Sequence, residues 1–211
     1  MSRIQNLLDR AEKQKESSTS EQSSIACAER RFDDQQAAES HFAGLREKLR
    51  RIKRWNHDSL LTSFALHDEK GNESGERAAE VGDFICIFLH GSGKNDWVKI
   101  TALDDAPNET ILTVRPSFNP TEEKKNENVV SHFFTDAATN NFCLQRENEI
   151  VRFYVIGLNE ISNTVDTKNV LETVRNAATA NIGSYLGIQN AQWQTFCDNF
   201  LETEWQTNSK Q

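Results

Sequence analysis

The chain has no CxxC pair and no Cys/His cluster at metal-ligand spacing. Its four cysteines, Cys27, Cys86, Cys143 and Cys197, stand far apart in sequence. A zinc site therefore has no support, and all four read as reduced thiols. No run of about 18 apolar residues exists for a membrane span. The first residues, Met1-Ser-Arg-Ile-Gln-Asn6, lack the apolar core of a signal peptide. These absences predict a cytoplasmic protein with no cofactor or metal.

Enzyme signatures are also missing. His90-Gly-Ser-Gly-Lys94 is not a phosphate loop, because Phe88 stands where that pattern needs glycine and Asn95 where it needs Ser or Thr. Read instead as an oxyanion loop, it should be followed by Gly-x-Ser-x-Gly, and no such elbow occurs. A glycine-rich β-turn accounts for it. None of His41, His57, His67, His90 and His132 pairs at the i, i+4 spacing of a helical metal site. His67 and His90 fall at strand ends, where the register decides whether they meet. The acidic turn at Asp104-Asp105 lacks the EF-hand pattern.

What the chain does have is uneven charge. The formal net charge is −8. Residues 41–55 carry six basic groups and one acidic, whereas residues 56–211 carry 12 basic and 23 acidic. The acidic body disfavours non-specific nucleic-acid binding. The cations interleave with Phe42, Leu45, Leu49, Ile52 and Trp55, whose steps of three, four, three and three draw one apolar stripe down a helix. This basic amphipathic helix is either a docking device or a strut whose charge is answered by the body beneath it.

Around it, the pattern predicts two regions. Residues 1–32 form a flexible N-terminal segment: a short helical stripe at Ile4, Leu7 and Leu8, then a Ser-rich linker over Glu16–Ser24. Residues 33–211 form a single α+β domain. A helix runs from about Asp33 to Arg54, capped by Asp33 or Asp34. An antiparallel meander follows, through Phe64, Phe84–Leu89, Trp97–Leu103 and Thr110–Arg115, since its short turns cannot join parallel strands. Thr121–Asn128 reads as a loop and Val129–Phe134 as a short strand. A hairpin turns at Glu147-Asn-Glu149. Two C-terminal helices close the fold, one striped by Val170, Leu171, Val174 and Tyr185, the other by Trp193, Phe196, Cys197, Phe200 and Leu201.

The expected architecture is an antiparallel sheet of about six or seven strands, with a long N-terminal helix and two C-terminal helices packed on it. This element order, carried by no motif, resembles that of helix-grip proteins. There a curved sheet wraps a long C-terminal helix and leaves an apolar cavity.

Three functions follow. The first is a non-enzymatic interaction or assembly protein, meeting a protein partner or a second copy through the N-terminal segment and the helix. Its contact residues would be Arg46, Arg50, Arg51, Lys53, Arg54 and Trp55. The second is a module for a small apolar ligand, with a pocket between sheet and C-terminal helix lined by Phe84, Phe88, Phe153, Val174 and Tyr185 and His132 at its rim. The third, which the missing signatures weigh against, is a hydrolase using His90, Ser92 or His132.

Overall fold

The computed structural model describes residues 2–17, 22–59, 62–90, 95–122, 134–161 and 182–202. Among the described residues, three α-helices and a 3-10 helix pack on seven strands. In chain order these are α1 (Arg3–Glu16), β1 (Ser24–Arg31), α2 (Gln35–Arg50), the 3-10 helix (Ile52–His57), β2 (Thr62–His67), β3 (Phe84–Leu89), β4 (Asn95–Ala106), β5 (Glu109–Pro116), β6 (Thr139–Glu147), β7 (Ile150–Leu158) and α3 (Ile182–Glu202). The strands form one antiparallel sheet in the order β1-β7-β6-β5-β4-β3-β2.

The sheet is strongly curled, and the aromatic distances show it. On a flat sheet β2 and β7 would stand five strand spacings apart, roughly 24 Å. Yet Phe196 of α3 lies 5.9 Å from Phe64 on β2 and 6.1 Å from Phe153 on β7, centroid to centroid. One phenyl ring can touch both only if the strands wrap around it. Inside the curl sit α2, the 3-10 helix and α3. Their Phe42, Leu45, Leu49, Ile52, Trp55, Phe196 and Phe200 merge with Phe64, Ile85, Leu112, Phe142 and Phe153 into one core.

The meander β2–β5 and the β6–β7 hairpin stand where the sequence places them, except that Asp104-Asp105, expected as a turn, is strand β4 paired with Ile111 and Thr110, and the chain turns at Pro107-Asn108. Asn148 takes the positive φ (54°) in the hairpin turn, a conformation that asparagine tolerates well. The long helix is shorter than expected. Asp34 caps it by accepting the Ala37 N–H at 2.8 Å, but it ends at Arg50. The chain then tightens into the 3-10 turn, which brings Asp58 back onto Lys48.

The N-terminal segment differs more. Residues 24–31 are an edge strand paired with β7 along their whole length. Helix α1 packs on the opposite, outer face of the sheet, where Ile4 and Ala11 join Ile111, Cys143, Ile156 and Leu158. The strand escapes composition-based reading because its inward residues, Ala26 and Ala28, are small. Most of the expected first C-terminal helix, the 121–128 loop beyond residue 122 and the short strand before Phe134 lie outside the described residues. Tyr185, expected on that first helix, falls on α3, which runs unbroken from Ile182 into the second expected helix.

Both sheet edges are closed by a side-chain amide. Gln194 of α3 donates to the Cys27 carbonyl at 2.8 Å and accepts from its N–H at 3.3 Å. Asn56 does the same at Phe64 on β2, donating at 3.0 Å and accepting at 2.6 Å. An open strand edge is a template for pairing with another chain, and these clamps occupy part of each edge.

Candidate functional site

Four rings meet inside the curl. Trp55 lies 4.6 Å from Phe142 and 5.7 Å from Phe196. Trp193, on α3, lies 5.6 Å from Phe142 and 5.7 Å from Phe196. The 3-10 turn presents Trp55, β6 presents Phe142, and consecutive helical turns of α3 present Trp193 and Phe196. Trp55 is only 1% exposed, whereas Trp193 is partly exposed and stands at the rim of the core.

Neither indole Nε1–H has a hydrogen-bond partner, although both atoms are buried. The Asn140 Oδ1, buried two residues along β6 from Phe142, also has none. Asn140 pairs with Val114 just as Phe142 pairs with Leu112, so it shares their inward face. An unpaired buried donor or acceptor costs about 1–3 kcal/mol. Folded proteins keep few of them without a reason. Both indoles touch Phe142, and Asn140 stands two residues from it on the same face; two donors and one acceptor on one apolar wall are what a partly polar guest would need.

Of the expected pocket residues, Phe153 belongs to this interior, stacked 4.1 Å from Phe200. Phe84 does not. It lies on the outer face with Cys86 and Trp97. Phe88 has the same parity on β3 and is 37% exposed. Tyr185 lies on α3. His132 and Val174 lie outside the described residues.

The basic helix proves to be answered from within the chain. Arg50 pairs with Asp105, and Arg46 stands 3.9 Å from the same carboxylate while donating to the Ala106 carbonyl at 2.7 Å. Arg51 donates to the Glu76 carbonyl at 2.7 Å, and Arg54 pairs with the Glu76 carboxylate at 2.9 Å. Lys53 is exposed. Trp55, expected as a surface anchor, is the hub of the core instead. These cations fasten α2 and the turn after it to the β4–β5 hairpin and the loop before β3.

Lys48 goes further, buried at 2% beside an Asp58 at 0%. Its Nζ lies 2.7 Å from Asp58 Oδ2, donates to the Phe200 carbonyl at 3.2 Å and sits 4.3 Å from the Phe200 ring. Desolvation holds its pKa below the usual lysine range, against the opposing pull of Asp58. His41 meets the next carbonyl, Leu201, at 2.9 Å. The C-terminal end of α3 is thus met by the cation and the imidazole of α2, the arrangement its dipole favours.

The remaining chemistry is muted. His67 and His90 do not converge, because His67 pairs with Phe84 at one end of the β2–β3 ladder and His90 follows the other end. Ser92 lies outside the described residues. Burial raises the pKa of every thiol, that of Cys86 to about 11. None is the activated thiolate that nucleophilic catalysis needs. No group of three His, Cys, Asp or Glu side chains among the described residues is placed to hold a metal. No described helix is long and apolar enough to cross a membrane.

No protein-family model matches the sequence, and no curated protein matches it. Solved structures resemble the fold at low identity. A hypothetical protein from Helicobacter pylori is 11% identical, with 84% of this chain and 86% of that one covered and a TM-score of 0.48. A Thermus thermophilus protein is 10% identical, with 84% and 94% covered and a TM-score of 0.42. The ginseng major latex-like protein 151 from Panax ginseng is 12% identical, with 72% and 90% covered and a TM-score of 0.33. All three scores lie below 0.5, and none bears on function.

Proposed function

We propose that this protein is a non-enzymatic module that binds a small, largely apolar ligand between the curled sheet and α3. The ligand is an aromatic molecule bearing a hydrogen-bond acceptor. Its ring packs against Phe142 and Phe196, and its acceptor takes an indole N–H. The observation that carries this reading is the pair of buried, unpartnered Nε1–H groups of Trp55 and Trp193, together with the unpartnered Oδ1 of Asn140 on the same inward face as Phe142. Apolar walls with a few placed polar groups are the usual make-up of a small-molecule site. Entry requires Trp193 to swing aside at the rim, because the polar atoms are buried.

The reading predicts discrimination between two probes of similar shape. Calorimetric titration with 2-acetonaphthone, which carries a carbonyl, should give at least about tenfold tighter binding than 2-ethylnaphthalene, which has no acceptor; that ratio corresponds to about 1.4 kcal/mol. Trp193→Phe keeps the apolar wall and removes one donor, so it should shrink the preference. Equal affinity of the native chain for both probes, or no binding of either, would refute the proposal.

A further inference from the structure

A different group carries the next inference. Glu160 follows β7 and is 3% exposed. Its Oε1 accepts from the Ser24 hydroxyl at 3.0 Å, and its backbone N–H donates to the Gln22 carbonyl at 2.9 Å. From β7 it faces Gly157, where any Cβ would collide with Glu160 Oε1 and Ser24 Oγ. From β1 it faces the Ser24 hydroxyl, and the charge of Lys15 on α1 favours the ionised carboxylate against the larger, opposing effect of burial. The same junction holds the end of α1. Gln14 accepts the Asn159 N–H at 3.1 Å and also bonds its side chain, while the Ser23 hydroxyl donates to the Ala11 carbonyl. The other end of α1 is pinned to the far side of the sheet by Arg3 on Asp104 and Ser2 on Glu109.

We propose that Glu160 is a proton-operated latch for α1: protonated, it keeps the junction of α1, β1 and β7 closed, and ionised, it lets the end of α1 leave the outer face. A neutral carboxyl suits a buried site with one hydroxyl beside it. A carboxylate there lacks the two or three donors that would stabilise it. Release uncovers the apolar surface of Ile111, Cys143, Ile156 and Leu158, which α1 otherwise covers.

The direction of the pH dependence follows from linkage. Burial raises the Glu160 pKa from 4.5 to about 7 in the docked state. Docking is therefore strongest below the ordinary carboxylate range and weakens as pH rises through about 7. Between pH 5.5 and 8.0 the docking equilibrium should fall roughly 30-fold.

Hydrogen exchange on the full chain tests this, with rates corrected for their intrinsic pH dependence. Protection of α1 amides should drop by that factor from pH 5.5 to 8.0 while β6 amides hold. In Glu160→Gln, α1 should stay protected at both values. The latch is overturned if native α1 shows no such drop, if the variant shows the same drop, or if α1 and β6 fall together. Should the variant not fold, the Glu160 carboxyl can be titrated in the native chain by 13C resonance. A midpoint near 7 that coincides with α1 exposure supports the latch, and a midpoint near 4.5 ends it.

Discussion

Lys48→Met destabilises the protein by about 3–5 kcal/mol, as read by urea unfolding. The cause is the carboxylate left behind. Asp58 is fully buried, and the variant removes the ammonium that stands 2.7 Å from its carboxylate. The Phe200 carbonyl near the end of α3 loses its donor in the same step. Asp58→Leu alone is costly for the converse reason, because it strands the ammonium. The double variant Lys48→Met, Asp58→Leu restores most of the loss, since a matched apolar pair removes both desolvation costs at once. A near-zero cost for the single variant would mean that the pair is solvated and does not join α2, the 3-10 turn and α3.

Phe196→Ala costs about as much, roughly 3–5 kcal/mol. Its ring contacts Trp55, Phe64, Phe142, Phe153, Trp193 and Phe200. It is the side chain that joins the two sides of the curl, so the void left by truncation cannot close without uncurling the sheet. Phe196→Leu, which keeps most of the volume, should cost less than about 1.5 kcal/mol. Thermal unfolding of the two variants side by side gives the comparison. Similar small losses in both would indicate that the interior collapses easily around the site.

The parts of the fold with strong local signals were readable beforehand. Glu147-Asn-Glu149 marks the β6–β7 turn, and Asp34 marks the start of α2. On α3, Phe196, Cys197, Phe200 and Leu201 follow a helical period, and all four are buried. Face assignment on β3 was not readable. Phe84-Ile-Cys-Ile-Phe-Leu89 is apolar at every position, so nothing in it distinguishes inward Ile85 from outward Phe84. Strand β1 was hidden by its small residues. Lys48 was hidden among five other cations, because its burial depends on an aspartate ten residues on and a carbonyl 152 residues on. Asn140 carries no local sign that its carbonyl oxygen is buried. The candidate site is therefore made of residues whose helical phase was legible, Trp193 and Phe196, and of others whose surroundings only the curl creates.

The most direct test of ligand binding follows the indole N–H resonances during a titration with 2-acetonaphthone, assigned through Trp→Phe variants. Binding inside the curl predicts shifts for the Trp55 and Trp193 signals, with Trp97 unmoved because it lies on the outer face. Unmoved Trp55 and Trp193 signals at saturating probe, or a shift confined to Trp97, would contradict it.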